Sequence, residues 1–135
     1  MEKLYQDGML ALAKIARNTR PIESATHIAE VNNPVCGDKV IASIQLQDNI
    51  ITDASVITRG CALCEAGAGL WIETCTGHSL DEIDYIGQRL LKWLQQDEQP
   101  CPLEQAAPLA PVRAIKNRHQ CVMLAFRTST AFTPV

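Results

Sequence analysis

Residues 33–61 read NPVCGDKVIASIQLQDNIITDASVITRGC, and the alternation inside that stretch decides the fold. From Lys39 to Gln47, Val40, Ala42, Ile44 and Leu46 fall on one side. Lys39, Ser43, Gln45 and Gln47 fall on the other, with Ile41 the exception. A period of two marks a half-buried strand. Asp48-Asn49 suits a tight turn, and Ile50 to Thr58 reads as a second strand with Ile50, Ala54 and Val56 on one face. The two strands predict an antiparallel hairpin, apolar on one side. Such a hairpin is marginal alone, so helices are expected to cover its apolar face.

Both flanks of this hairpin must lie at the same end. The leading flank is the turn Asn33-Pro34-Val35-Cys36-Gly37-Asp38. Pro34 fixes one backbone angle and Gly37 permits a tight reversal, so Cys36 and Asp38 are offered from one short loop. The trailing flank is Gly60-Cys61, which the hairpin returns to the side of Cys36 and Asp38. Cys61 is expected at a helix start, where free amides and the helix dipole favour a thiolate. Cys121, in Arg118-His119-Gln120-Cys121, joins them only through tertiary packing. Three thiols and a carboxylate supply four donors for zinc or for an iron–sulfur cluster. A hard oxygen donor is poorly matched to iron–sulfur chemistry and suits a site that releases its cargo. The plainer readings are an Asx-turn role for Asp38 and small-hydrophobe roles for the cysteines.

Cys61-Ala62-Leu63-Cys64 is a C-x-x-C pattern. A thioredoxin-like redox dithiol is expected near a βαβ unit, whereas a hairpin precedes this one. On a helix Cys61, Cys64, Ala68, Trp71 and Cys75 share roughly one face, so Cys64 reads as core or as a spare thiol near the site. Cys75 and Cys101 have no partner spacing and read as structural. His27 and His78 read as surface or satisfied polar residues, and His119 as a weaker ligand candidate than Asp38.

Outward from the hairpin, residues 1–18 read as a helix, with Leu4, Leu12, Ile15 and Ala16 at mostly helical spacing. Ile22 to Val31 reads as irregular. A second helix is expected from Cys61 to about Thr76, and Ser79-Leu80-Asp81-Glu82 is a capping box opening a third. Its apolar stripe is Leu80, Ile83, Ile86, Leu90 and Leu94, and it runs through Trp93 to Gln95. Gln96 to Pro111 holds Pro100, Pro102, Pro108 and Pro111 and reads as a loop, with room for one helical turn near Leu103 to Ala107. Val112 to Asn117 reads as a short helix with Pro111 at its first position, and Cys121 to Phe126 as helical.

The chain has 135 residues, which predicts a single domain over 1–135, with 127–135 as a frayed tail. At 47% apolar and 20% charged it can build a real core. A net charge of −3 argues against a nucleic-acid partner bound through a basic face. No apolar run approaches membrane-spanning length, and no signal-peptide pattern opens the sequence. The expected compartment is a reducing cytoplasm, where six cysteines point to metal or sulfur chemistry rather than disulfides.

These motifs together resemble the U-type iron–sulfur scaffold family: IscU, SufU and the N-terminal part of NifU. Asn33-Pro34-Val35-Cys36-Gly37-Asp38 resembles the family's Asn-Pro-x-Cys-Gly-Asp turn, and Gly60-Cys61 its Gly-Cys at a helix start. Arg118-His119-Gln120-Cys121 with Leu124 and Ala125 is similar to the third-cysteine motif, in the Arg-x-x-Cys form of SufU. Leu4-Tyr5, Ala16-Arg17-Asn18 and Gly77-His78-Ser79-Leu80-Asp81-Glu82 resemble three further family segments. The likeness covers roughly residues 4 to 126. The 59 residues between Cys61 and Cys121 match the longer SufU-like branch. Several features depart from the family pattern, among them Ala16 in place of the family's Pro and a tail after Phe126 without its continuing C-terminal helix. Leu109-Ala110-Pro111-Val112-Arg113 stands too early for the IscU chaperone motif. Gln120 replaces the IscU histidine. Cys64 stands in a helix that usually carries a small, Ser-rich run.

The resemblance implies an α+β fold, a small antiparallel sheet covered by helices, with the metal site at one exposed end. It also implies the ligand set Cys36, Asp38, Cys61 and Cys121, holding a labile [2Fe–2S] cluster or Zn²⁺. Cys121 and Cys36 are then the candidate sulfur acceptors, with Cys64, Arg118 and His119 as accessory positions. The implied partners are a PLP-dependent cysteine desulfurase as sulfur donor and apo iron–sulfur proteins as recipients. Such a protein is a scaffold or sulfur carrier rather than a turnover enzyme. The rival expectations are a structural zinc module and a metal-free interaction module of the same fold.

Overall fold

The computed structural model describes residues 3–96 and 99–135. Met1 and Glu2, assigned above to the first helix, and Asp97 and Glu98, assigned to the loop, lie outside the described residues. The hairpin is present as β2 (Asp38–Gln47) and β3 (Ile50–Arg59), preceded by β1 (His27–Asn33). A short β4 (Thr133–Pro134) completes an antiparallel sheet of order β3-β2-β1-β4. Asp48 and Asn49 both take positive φ, 52° and 67°, as a two-residue turn matched to strand twist requires.

The sheet keeps its apolar face through the alternation of β2, where Val40, Ala42 and Ile44 are fully buried. Asp38 shares their parity, so it points to the same side at the sheet's end. In β3 the expected face is corrected: Ile51, not Ile50, enters the core beside Val56. Gln45 pairs with Asp53 and Leu46 with Ile51, so Thr52 is an extra residue. That bulge reverses the inward parity between the two ends of the strand.

Three helices of three or more turns cover the sheet: α1 (Lys3–Asn18), α2 (Ala62–Cys75) and α3 (Leu80–Gln95). The α1 stripe is Met9, Leu12, Ala13 and Ala16, whereas Leu4 is 77% exposed. Every residue of α2 from Ala66 to Leu70 is buried, as befits a helix packed on all sides. Its small residues make that possible. A Cβ on Gly69 would strike the Leu12 backbone of α1, and one on Gly67 the Val122 backbone. Ser79 caps α3 through the capping box expected, and Ile83, Gly87, Leu90, Trp93 and Leu94 form its buried face.

Four regions depart from the sequence expectation. Ile22–Val31 is not irregular throughout, because β1 begins at His27. Its hydrophobic pattern misleads: small Ala29 faces the core while Ile28 faces solvent. The loop after α3 tightens into a 3₁₀ run over Glu104–Ala114, where the prolines remove amides that an α-helix would need. It takes in the start of the short helix expected at Val112–Asn117, and a separate 3₁₀ turn follows at Lys116–Arg118. The last helix, α4, spans His119–Met123, so Cys121 lies inside it rather than at its start.

The tail is the largest correction. Residues 127–135 are not frayed. A 3₁₀ turn covers Phe126–Thr130, Thr128 is fully buried, and Thr133–Pro134 pairs with His27–Ile28. Phe132 stacks on Trp71 with centroids 6.5 Å apart. Pro134 is tolerated because β4 is an edge strand.

Candidate metal centre

The site is built at the end of the sheet where β1 turns into β2 and β3 passes into α2. Asn33 pairs with Asp38 across β1 and β2, so the Asn-Pro-Val-Cys-Gly-Asp stretch is itself a hairpin loop. Asn33 organises that loop: its carbonyl accepts from Gly37 N at 2.8 Å, and its Oδ1 accepts from Val35 N at 3.2 Å. Gly37 takes φ 77°, the left-handed region the reversal needs. Val35 and Cys36 consequently project outward, with Val35 94% exposed.

The second flank meets the first as hairpin geometry requires. Cys61 is the N-cap of α2, and its thiol donates to Asp38 Oδ2 with an Sγ–Oδ2 distance of 3.8 Å. Gly60 permits that approach: a Cβ there would sit 2.6 Å from the Asp38 carboxyl carbon. Cys121 arrives from α4, buried, with its Sγ 3.9 Å from Cys36 Sγ. Donor atoms of Cys36, Asp38 and Cys121 all lie within 4.8 Å of one another.

This donor set fits a tetrahedral metal. Zn–S bonds of about 2.3 Å at tetrahedral angles set sulfurs about 3.8 Å apart. The Cys36–Cys121 separation of 3.9 Å matches that spacing for one pair of donors. Burial pushes the Cys121 thiol up to about 12, with Cys61 and Cys36 adding to it and the Arg118 guanidinium opposing. Burial likewise pushes Cys64 up to about 12, reinforced by Asp38, Cys61, Cys121 and Cys36 in that order. Grouped thiols resist gaining negative charge, and a bound dication removes that resistance.

The accessory residues separate into two groups. Arg118 lies close enough to the thiols of Cys121 and Cys61 for them to raise its own pKa. Cys64 borders the same thiols from the buried side of α2. The buried His119 is engaged elsewhere, with Nε2–H donating to the carbonyls of Val112 at 2.9 Å and Arg113 at 3.2 Å. It ties α4 to the preceding 3₁₀ run. Cys75 is fully buried, and burial raises its thiol well above the ordinary value. Cys101 departs from its structural reading: it is exposed, donating to the Leu103 carbonyl at 3.0 Å. Thr26 Oγ1 lies 2.8 Å from His27 Nδ1, and Glu82 lies 3.5 Å from His78. Sequence reasoning missed the part of Asn33, although an asparagine before proline is an ordinary turn opener.

The chain is similar in sequence and in fold to known proteins. A Thermotoga maritima iron–sulfur cluster assembly scaffold protein IscU is 24% identical over 126 residues, 93% of this chain and 89% of the relative. An Archaeoglobus fulgidus protein of the same description is 34% identical over 79 residues, 58% of this chain and 52% of the relative. The zinc-dependent sulfurtransferase SufU of Bacillus subtilis is 25% identical over 81 residues, covering 60% of this chain and 54% of the relative. The chain thus spans about half the length of the last two. Among solved structures, a NifU-like N-terminal protein from Brucella abortus has a TM-score of 0.78 at 23% identity, covering 92% of this chain and 88% of that one. A putative SufU scaffold from Fervidobacterium islandicum has a TM-score of 0.74 at 21% identity, covering 92% of both. Those two likenesses speak for the α+β fold. Residues 4–117 match the family described as NifU-like N terminal domain, a span that stops before Cys121. With most of its length inside that match, the chain belongs to the NifU-like N-terminal domain family, and SufU proteins stand among its relatives and its structural neighbours.

Proposed function

We propose that this protein is an iron–sulfur cluster assembly scaffold of SufU type that also accepts sulfur from a PLP-dependent cysteine desulfurase. The observation that supports the proposal is the grouping of Cys36, Asp38 and Cys121, whose donor atoms lie within 4.8 Å of one another, with Cys61 Sγ 3.8 Å from Asp38 Oδ2. These four residues would hold Zn²⁺, or a [2Fe–2S] cluster as cargo for apo iron–sulfur proteins. When bound, zinc keeps the thiols as thiolates at neutral pH.

The chain's own residues divide the work. Cys36 is the exposed thiol, on a loop that projects from the sheet, and it can meet a partner's persulfide. Cys121 is buried beside it, so sulfur received at one thiol can pass to the other by thiol–persulfide exchange over a short distance. Arg118 stabilises the Cys121 thiolate during that exchange. Asp38 supplies the one oxygen donor, which can open while the three sulfurs remain. The exposure of Cys36 supports this reading, because an acceptor thiol must be reachable by a partner's persulfide.

The test is sulfur transfer. The chain is incubated with a cysteine desulfurase and L-cysteine, and sulfur addition is read by intact mass. The expected result is persulfide on the chain, reduced at least about tenfold in Cys36→Ser. A chain that takes up no sulfur and leaves the desulfurase rate unchanged would sink the acceptor role and favour the structural zinc module.

A further inference from the structure

The proposed function leaves Cys64 without a task. This thiol is 1% exposed and lies one turn into α2. Cys61, at the cap, is half-buried, and its carbonyl accepts from Glu65 N at 3.1 Å. That bond closes a helical turn around both cysteines. Cα atoms three residues apart on an α-helix stand about 5 Å from each other. A disulfide accepts separations of roughly 4.4–6.8 Å. An accessible thiol at a helix start, followed by a sheltered one a turn later, is the arrangement in which a mixed sulfur bond forms outside and is resolved from within. That chemistry depends on the helix terminus, so a preceding antiparallel hairpin serves as well as a βαβ unit. Cys64 is also adjacent to the cluster, since Asp38, Cys36 and Cys121 all act on it along with Cys61.

We propose that Cys61 and Cys64 form an internal two-electron reductant that converts a protein-bound persulfide to sulfide. The inference rests on the reading that the chain accepts persulfide sulfur. Sulfane sulfur on Cys36 or Cys121 passes to Cys61 by thiol–persulfide exchange, which moves one sulfur atom without net oxidation. The Cys64 sulfur then attacks Cys61 Sγ. A Cys61–Cys64 bond forms as the bond from Cys61 Sγ to the outer sulfur breaks. The outer sulfur leaves with the bonding pair as HS⁻, taking the proton that Cys64 gives up. Two thiol sulfurs are oxidised to a disulfide and one sulfane sulfur is reduced to sulfide, so no outside electron donor enters this turnover.

The experiment uses the full chain purified under nitrogen, loaded with inorganic polysulfide and desalted. Released sulfide is measured without added reductant, and cross-links are mapped by mass spectrometry. Wild type is expected to release about one sulfide per chain and to acquire a Cys61–Cys64 disulfide. Cys64→Ser is expected to keep its persulfide and release less than about a tenth as much. A loaded wild type that releases nothing, equal release from Cys64→Ser, or a cross-link between Cys36 and Cys121 instead would overturn the inference while leaving the acceptor role intact. A wild type that takes up no sulfur contradicts the acceptor role and the inference with it. The wild-type cross-link map needs no substitution, so misfolding of the variant cannot mask the answer.

Discussion

Asp38 is held in place by what is missing next to it. Gly60 lets β3 run past the carboxylate, and any side chain there would meet the Asp38 carboxyl carbon at 2.6 Å. The loop glycine Gly37 has open space around it and is needed for its φ. The two glycines therefore fail in different ways. Gly60→Ala is expected to displace the carboxylate and weaken zinc binding by about tenfold or more, with a melting temperature close to wild type. A competition titration against a chromogenic chelator checks it, and unchanged affinity would contradict the role given to Asp38. The short contact between Gly60 and Asp38 was partly legible in the sequence: hairpin logic put Cys61 beside Asp38, as the 3.8 Å contact between them shows. The position of His119 was not legible. Two residues from a cysteine, it looked like a ligand candidate, but the carbonyls that engage its Nε2 belong to a 3₁₀ run no periodicity announces.

Among the elements, α3 has the clearest local signal. Ser79 Oγ accepts from Glu82 N at 3.1 Å, and Glu82 accepts from Ser79 N at 3.0 Å. The Ser79 amide, then His78, hold the Glu82 carboxyl below its usual value. A carboxylate whose folded-state pKa is depressed adds stability that is present above its unfolded value and lost as pH falls through the folded one. Ser79→Ala is expected to cost about 1 kcal/mol through loss of the cap, whereas Glu82→Gln, which removes the titrating group, is expected to lose less stability than wild type on acidification. Urea unfolding at pH 7 and at pH 3 measures both. Equal losses on acidification would contradict the linkage. In α2 the small residues carry the packing. Gly67→Ala forces a methyl into the Val122 backbone and is expected to cost about 1–3 kcal/mol, with Cys121 displaced along with it. Loss of stability together with weakened metal binding would distinguish this from a simple propensity gain. Helices with caps or stripes were readable from the sequence. β1 was not, because its inward residues are His27, small Ala29, half-buried Val31 and polar Asn33.

At the scale of the molecule, the chain closes on itself. The tail crosses the whole sequence to pair with β1, and Val135 N donates to the Thr26 carbonyl at 2.9 Å. Phe132→Ala is expected to cost about 2 kcal/mol through loss of the Trp71 stack and of apolar burial. A urea midpoint unchanged from wild type would restore the frayed-tail expectation. That tail was illegible for a physical reason: its order comes from a contact with Trp71, about sixty residues earlier, and local β-branched and Pro residues carry no trace of it. The same holds for Cys121, which reaches Cys36 across 85 residues of sequence. The central claim is that these distant segments build one centre for metal and sulfur. Metal and acid-labile sulfide analysis, with a visible absorption spectrum, on protein purified without oxygen tests it most directly. The expected result is about one zinc per chain without sulfide, or iron and sulfide in equal amounts with charge-transfer absorption, lost in either case when Cys36, Asp38, Cys61 and Cys121 are replaced together. A chain that holds neither metal nor sulfide, even after anaerobic reconstitution, would contradict it.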